Sequence, residues 1–326
     1  MAPIPSQIIG HEKQCGQLLQ DIARDNVAHA YLFTGPKHIG KFSVARWFAL
    51  QLLGDTVPAD KKAGVQDQIE RMIHPDFLSL DQLWIEEIQE DWNQISKTSN
   101  IAQQHRSKVP KARTDSIGID EVRALQERLY DTGSSKHFVC LIRSMERMAA
   151  PAATAFLKVL EEPPPRVVFV LTTESETRVL NTVLSRTRVL KFHRLHDSQL
   201  QPLAGGMEPD DASFVLHLAQ GAPGKAITLM KDPDALRAEK LMHSQATQFW
   251  RARTAYERLP WITEFLAKPE QTEGMLLHLG LTLREQPLAV RKPHWTRAYV
   301  NLVNSLATNA HRGLLLQRFA LALDAE

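Results

Sequence analysis

Short apolar runs alternate with longer amphipathic ones along the first two hundred residues. Ala30-Tyr31-Leu32-Phe33-Thr34, Phe138-Val139-Cys140-Leu141-Ile142 and Val167-Val168-Phe169-Val170-Leu171 are rich in β formers and predict buried strands; Val189-Leu190-Lys191-Phe192 begins another. Between them the apolar period lengthens. Leu18, Leu19 and Ile22 share one helical face, and Val44, Ala45, Phe48 and Leu52 lie inward on a helix from Lys41 to about Leu53. Val122, Leu125 and Leu129 mark another helix, with Ser116 or Asp120 as its expected cap. Ala153, Phe156, Leu157 and Leu160 fall at i, i+3, i+4 and i+7, and Pro163-Pro164-Pro165 stops that helix. Buried strands alternating with helices predict a mostly parallel, doubly wound sheet. From about Ala235 the pattern is helical: Leu241 to Arg253, Trp261 to Leu266, Met275 to Leu283, and a last pair within Trp295 to Leu323 preceded by Pro287 and Pro293. The expected fold class is an α/β core followed by an all-α part.

A chain of 326 residues accommodates two or three domains, and 43% hydrophobic with 23% charged residues is an ordinary globular composition. The balance of 39 basic against 37 acidic residues gives +2, which does not suggest wholesale nucleic-acid binding. No apolar run approaches the roughly 20 residues of a membrane span, and the N-terminus lacks the apolar core of a signal peptide. Cys15 and Cys140 offer no disulfide framework. A cytoplasmic protein is expected. Residues 86–116 are polar, with Lys97, His105, Arg106, Lys108, Lys111 and Arg113 in the later half; they read as a long surface insertion or as a basic loop that touches DNA phosphates.

The one glycine-rich chemistry motif is Gly35-Pro36-Lys37-His38-Ile39-Gly40-Lys41-Phe42, between a strand and a helix. It nearly satisfies the phosphate-loop pattern GxxxxGK[ST]. Gly35 and Gly40 let backbone N–H groups turn toward a phosphate, the helix N-terminus adds a favourable dipole, and Lys41 reaches the β and γ phosphates. The last position fails, because Phe42 has no hydroxyl for Mg²⁺. Ser43 comes one residue late, about 100° further round the helix. The loop is therefore either a weak nucleotide site or a retained fold element.

The run Ala155-Phe156-Leu157-Lys158-Val159-Leu160-Glu161-Glu162-Pro163-Pro164, followed by LTTESE and then LSRTRVLKF, resembles the AAA+ core of bacterial clamp-loader subunits of DNA polymerase III, those of the delta prime type above all. The likeness covers the first two hundred or so residues and weakens toward the end. It implies an AAA+ core over 1–194, a helical lid over 195–234 and a helical collar over 235–326, where Asn309 and Leu314-Leu315-Leu316 resemble the ring-forming segment. By the same resemblance Ile8-Ile9-Gly10-His11-Glu12 lines an adenine pocket, and His74-Pro75-Asp76-Phe77-Leu78 resumes the sheet after a four-cysteine zinc module that members carry. Residues 54–72 here contain no cysteine, so no zinc is expected.

The resemblance also assigns the chemistry. The Asp-Glu pair that orders Mg²⁺ and water in working members falls on Arg143 and Ser144, with Glu146 two residues later. Thr172 or Thr173 takes the sensor-one position, and the sensor-two arginine falls on Gly224, beside Lys225. Ser185-Arg186-Thr187 stands for the family's SRC signature, whose arginine reaches a neighbouring subunit's γ-phosphate. The expectation is a stator with no hydrolysis of its own, part of the DNA polymerase III holoenzyme. It needs no cofactor, holds ATP or ADP weakly if at all, and supplies Arg186 as an arginine finger in trans. Implied partners are the delta and gamma/tau subunits in a five-membered ring and, through it, the sliding clamp and primed DNA. Two alternatives stay open: a divergent ATPase using Lys41, Ser43 and Glu146, and a DNA-binding scaffold acting through residues 97–113.

Overall fold

The computed structural model describes residues 8–55, 57–58, 61–71, 73–80, 117–130, 135–268, 271–287, 292–306, 308 and 310–324. The polar stretch 86–116 and Asn309 lie outside them, and with them the expectations attached to those positions. The chain divides into two compact units, Met1–Ile227 and Thr228–Glu326.

In the first unit α1 (Glu12–Ala23) leads to β1 (Ala30–Thr34), then α2 (Lys41–Gly54), α3 (Lys62–Glu70) and β2 (Phe77–Leu80). The sheet is completed by α4 (Ile119–Leu129), β3 (Phe138–Ile142), α5 (Ala150–Glu161), β4 (Val167–Thr173), the one-turn α6 (Asn181–Leu184) and β5 (Arg188–Lys191). The shorter helices α7 (Asp197–Leu200), α8 (Pro209–Ala219) and α9 (Pro223–Lys231) follow, the boundary between the units falling within α9. The strands lie in the order β2-β3-β4-β1-β5, each pair parallel. α4 starts at Ile119 with Gly118 in extended conformation ahead of it; Ser116 and the Asp120 side chain, named as its expected cap, lie outside what is described.

Alternate strand residues face opposite layers, as the pleat requires. Tyr31, Phe33, Val139, Leu141, Val168 and Val170 pack on α1 and α2. Ala30, Leu32, Cys140, Ile142, Phe169 and Leu171 face α4 and α5. This two-sided burial is why the strands read as unbroken apolar runs. It also leaves the β1, β3 and β4 C-terminal ends, with the loops that follow them, as the sheet's free edge.

The second unit consists of α10 (Pro233–Arg251), α11 (Ala255–Ala267), α12 (Thr272–Glu285), α13 (Pro293–Leu306) and α14 (Arg312–Ala322). Its first helix starts well before the expected Leu241. Pro233 stands at the first position, and Asp232 Oδ1 accepts the N–H groups of Asp234 and Ala235, both at 3.0 Å. Likewise α11 begins at Thr254, whose hydroxyl accepts Glu257 N–H, and runs through Pro260. The core is aromatic. Trp250 and Trp295 stack at 5.4 Å, and their indole N–H groups donate to the Leu279 and Leu323 carbonyls. A polar chain, Glu239–His278–His243–Glu285, joins α10 to α12.

Phe169 is fully buried at the centre of β4, edge-on to Phe156 at 5.4 Å. Phe169→Ala is expected to cost about 3–5 kcal/mol, transfer and cavity together. Urea unfolding followed by tryptophan fluorescence checks it: the midpoint falls with the slope unchanged.

Candidate functional site

The phosphate loop leaves β1 at the free edge of the sheet. Gly35 has φ 150°, and a Cβ there would lie 2.3 Å from the Phe192 carbonyl oxygen, so close backbone approach demands glycine. Gly40 has φ 101° at the N-terminus of α2. The buried His11 ring steadies the loop from behind: its Nε2–H donates to the Ile39 carbonyl at 2.8 Å, and it lies 4.9 Å from Phe192. Burial lowers the His11 pKa, and the bond to the Ile39 carbonyl opposes part of that shift.

A cavity of about 400 Å³ opens in front of the loop. It is lined by residues 37–43, by Arg143, Ser144, Glu146 and Arg147 after β3, by 172–174 at the end of β4, and by Gly224. Lys41 Nζ donates to the Gly35 and Pro36 carbonyls, at 2.5 and 2.7 Å. Burial lowers its pKa from 10.5 to about 8; Glu174 and Glu146 oppose that shift and Arg143 adds to it.

The feature that sequence reasoning missed is how two departures from the ATPase pattern meet. The Arg143 guanidinium lies over the Phe42 ring, 4.3 Å from its centroid, and Arg46 approaches the same ring at 5.6 Å. At the two positions that the resemblance gave to a hydroxyl and a carboxylate for Mg²⁺, an aromatic ring and a cation are packed together. The donor set does not fit a divalent metal there. The sole hint in the sequence was that both changes fell on metal-contact positions.

Thr172 and Thr173 both line the cavity with their hydroxyls engaged locally. Thr172 Oγ1 accepts Ser144 N–H at 3.1 Å, and Thr173 Oγ1 donates to the Ser175 carbonyl at 3.0 Å. Ser43 and Glu146 line it as well. One Glu146 oxygen accepts Glu174 N–H at 3.4 Å; the other is buried with no hydrogen-bond partner among the described residues. At Gly224 the chain packs backbone to backbone: its N–H donates to the His38 carbonyl at 2.8 Å, and a Cβ would lie 2.8 Å from the same oxygen. That contact leaves no room for an arginine side chain.

The structure keeps Ser185, Arg186 and Thr187 apart from this cavity, between α6 and β5. Arg186 Nη2 donates to Glu161 Oε1 at 2.9 Å, and Nη1 donates to the Thr182 carbonyl and to Ser185 Oγ. Thr187 Oγ1 donates to the Leu184 carbonyl. With side chains 34% and 51% exposed, the Arg186–Glu161 pair is worth at most about 1 kcal/mol and exchanges readily for another anion.

Residues 10–196 match the family model described as DNA polymerase III, delta subunit. The chain belongs to that family. It is 30% identical over 188 residues to DNA polymerase III subunit delta' of Bacillus subtilis, covering 56% of this chain and 48% of that protein. It is 25% identical over 231 residues to the gamma/tau subunit of Mycobacterium tuberculosis, covering 69% of this chain and 36% of that protein. The chain thus spans about half or less of these curated relatives. A solved DNA polymerase III gamma subunit-related protein from Thermotoga maritima superposes with a TM-score of 0.50 at 16% identity, covering 94% of this chain and 98% of that one. That likeness concerns the fold. The architecture is AAA+: a parallel sheet layered between helices, then smaller helices and an all-helical C-terminal unit. Among the described residues no helix is long and apolar enough to cross a membrane.

Lys41 supplies a pH signature. The folded chain releases this proton near pH 8 and the unfolded chain near 10.5, so between those values the unfolded state binds more protons and stability rises with pH. Denaturant unfolding of wild type and Lys41→Met at about pH 7.5 and 9.5 is expected to show wild type gaining on the variant as pH rises. A difference that stays flat refutes the shift.

Proposed function

We propose that this chain is a non-hydrolysing, delta prime-like stator of the DNA polymerase III clamp loader, completing a neighbouring subunit's ATP site with Arg186. The observation that carries the reading is the Arg143–Phe42 stack, which puts an aromatic ring and a positive charge where phosphoryl transfer needs Mg²⁺. The glycine at position 224 removes a further cis contact. Arg186 is half-buried, outside its own chain's cavity, and held at the surface by Glu161, the Thr182 carbonyl and Ser185 Oγ, which is compatible with a guanidinium that acts across a subunit boundary.

On this reading the partners are the delta and gamma/tau subunits in a five-membered ring, and through it the sliding clamp and primed DNA. Residues 195–234 serve as the lid and 235–326 as the collar. Ser185 and Thr187 set the turn that carries Arg186, and the stator role needs no cofactor. Gly35, Gly40, Lys41 and Thr173 keep the shape of the ancestral nucleotide site. A second reading has one observation in its favour: Ser43 and Glu146 line the cavity with Lys41, the set a divergent ATPase needs.

ATP hydrolysis by the purified chain, and by a loader reconstituted with its motor subunits, separates the two. The chain alone is expected to be silent. Arg186→Ala is expected to cut the assembled rate at least tenfold, about 1.4 kcal/mol of barrier, with the complex still forming. Hydrolysis by the chain alone that Lys41→Ala abolishes establishes the second reading instead.

A further inference from the structure

The polar chain between α10 and α12 runs from the interior of the C-terminal unit to its surface. His278 is fully buried and Glu239 largely so, while His243 and Glu285 lie progressively nearer to solvent. Three contacts join the four side chains. Glu239 Oε2 meets His278 Nε2 at 2.5 Å, His278 Nδ1 meets His243 Nδ1 at 3.3 Å, and His243 Nε2 meets Glu285 Oε2 at 3.3 Å. The two rings cross at 78° with centroids 5.5 Å apart, so they touch nitrogen to nitrogen and are not stacked face to face. Among the described residues no group of three or more such side chains is placed to hold a metal ion.

Each of these contacts is a hydrogen bond only when it holds one proton. Two imidazole lone pairs, or two N–H groups, repel at such a distance, and burial makes an unmade bond more costly than it is at the surface. Three links therefore require three protons. Two neutral imidazoles beside two carboxylates bring two, and two imidazolium ions bring four. The satisfied chain lies between them, with one net negative charge spread over the four groups. Along the two helices the nearest further charges in sequence are Lys240, after Glu239, and Arg284, before Glu285. From α11, packed on α10, comes Glu264, which accepts from Gln245 and Lys268, both at 2.8 Å. From α13, packed on α12, comes Tyr299, whose hydroxyl donates to the Leu276 carbonyl at 2.9 Å; burial raises its pKa and keeps it protonated.

We propose that His243 and His278 hold one proton between them, a proton-dependent fastening of α10 to α12 that makes the C-terminal unit tightest near neutrality and looser in acid and in base. Above pH about 6.5, the ordinary histidine value, the unfolded rings carry two protons against three in the folded chain, so stability falls as pH rises. Below that pH the unfolded rings approach four, so stability falls as pH falls. Each limb approaches about tenfold in the unfolding constant per pH unit, the limit for one proton. The fastening needs neither a partner chain nor Arg186.

Imidazole nitrogen-15 spectra of the histidine-labelled full chain, recorded in EDTA, test the shared proton. At pH about 6.5 one ring proton is expected to correlate with the Nδ1 nuclei of two different histidines, and to vanish in His243→Asn. Urea unfolding, read at the indole signals of Trp250 and Trp295 in the same unit, tests the consequence. The advantage of wild type over His243→Asn is expected to be largest near pH 6.5, to shrink at least threefold in the unfolding constant by about pH 5, and to shrink again toward about pH 8. Glu285→Gln withdraws a negative charge from the exposed end of the chain, and is expected to move the maximum to lower pH. Should His243→Asn not fold, Glu285→Gln and the wild-type spectrum decide. The proposal is overturned if both Nδ1 atoms are protonated, or both unprotonated, near neutrality. It is equally overturned by a difference between wild type and the folded variant that stays flat across both limbs, or by a maximum that Glu285→Gln leaves in place.

Discussion

A parallel sheet must be covered on both faces, and most of what can be said of this chain descends from that requirement. Burial of Tyr31, Phe33, Val168 and Val170 under α1 and α2, and of Leu32, Phe169 and Leu171 under α4 and α5, leaves the strand ends as the place where loops meet. The parallel pairings of β1 with β4 and of β3 with β4 bring three such ends side by side. The phosphate loop, Arg143–Ser144 and Thr173–Glu174 therefore face one cavity although they are far apart in the chain.

Within that frame the site exchanges one kind of charge for another. Where an ATPase would need a hydroxyl and a carboxylate for a divalent ion, Phe42 carries the Arg143 guanidinium over its ring, 4.3 Å from the centroid. The loop, its lysine and its helix terminus stay in place around that contact. That combination suits a subunit whose contribution is made at a neighbour's site, the reading proposed for Arg186. At residue 224 the chain closes directly on the loop, its N–H on the His38 carbonyl at 2.8 Å.

The C-terminal unit is organised on other terms. Phe249, Trp250, Trp261, Phe265, Trp295 and Phe319 fill its core, and the two indole N–H groups among Trp250 and Trp295 each find a backbone carbonyl. Arg258, 2% exposed, is paired with Asp324 and donates to the Ala252 carbonyl at 2.7 Å, which ties the last described residue to the start of α11. Removing either partner of such a pair strands the other, so these contacts constrain the fold more than they add to its stability.

Periodicity alone was enough for β1, β3, β4 and β5 and for the inward faces of α1, α2, α4 and α5, because two-sided burial writes itself as apolar runs and one-sided burial as a 3.6-residue stripe; β2 came only with the family resemblance. The spacing of Gly35, Gly40 and Lys41 was enough to place a phosphate loop, and the wording around Arg186 to place a family. Helix starts were less legible. Asp232 and Thr254 act through one or two hydrogen bonds ahead of any apolar stripe, so α10 and α11 begin earlier than their hydrophobic residues do. What no linear pattern carries is contact between distant positions. That Phe42 and Arg143 stack, that Gly224 meets His38, that His11 holds Ile39 and that Arg186 rests on Glu161 all depend on which strand ends the parallel sheet sets next to one another. Linear pattern was enough for the sheet and for the loop with Phe42 in its last position; that Phe42 meets Arg143 was decided by tertiary packing, because a cation–π contact exists only when chain segments a hundred residues apart are packed together.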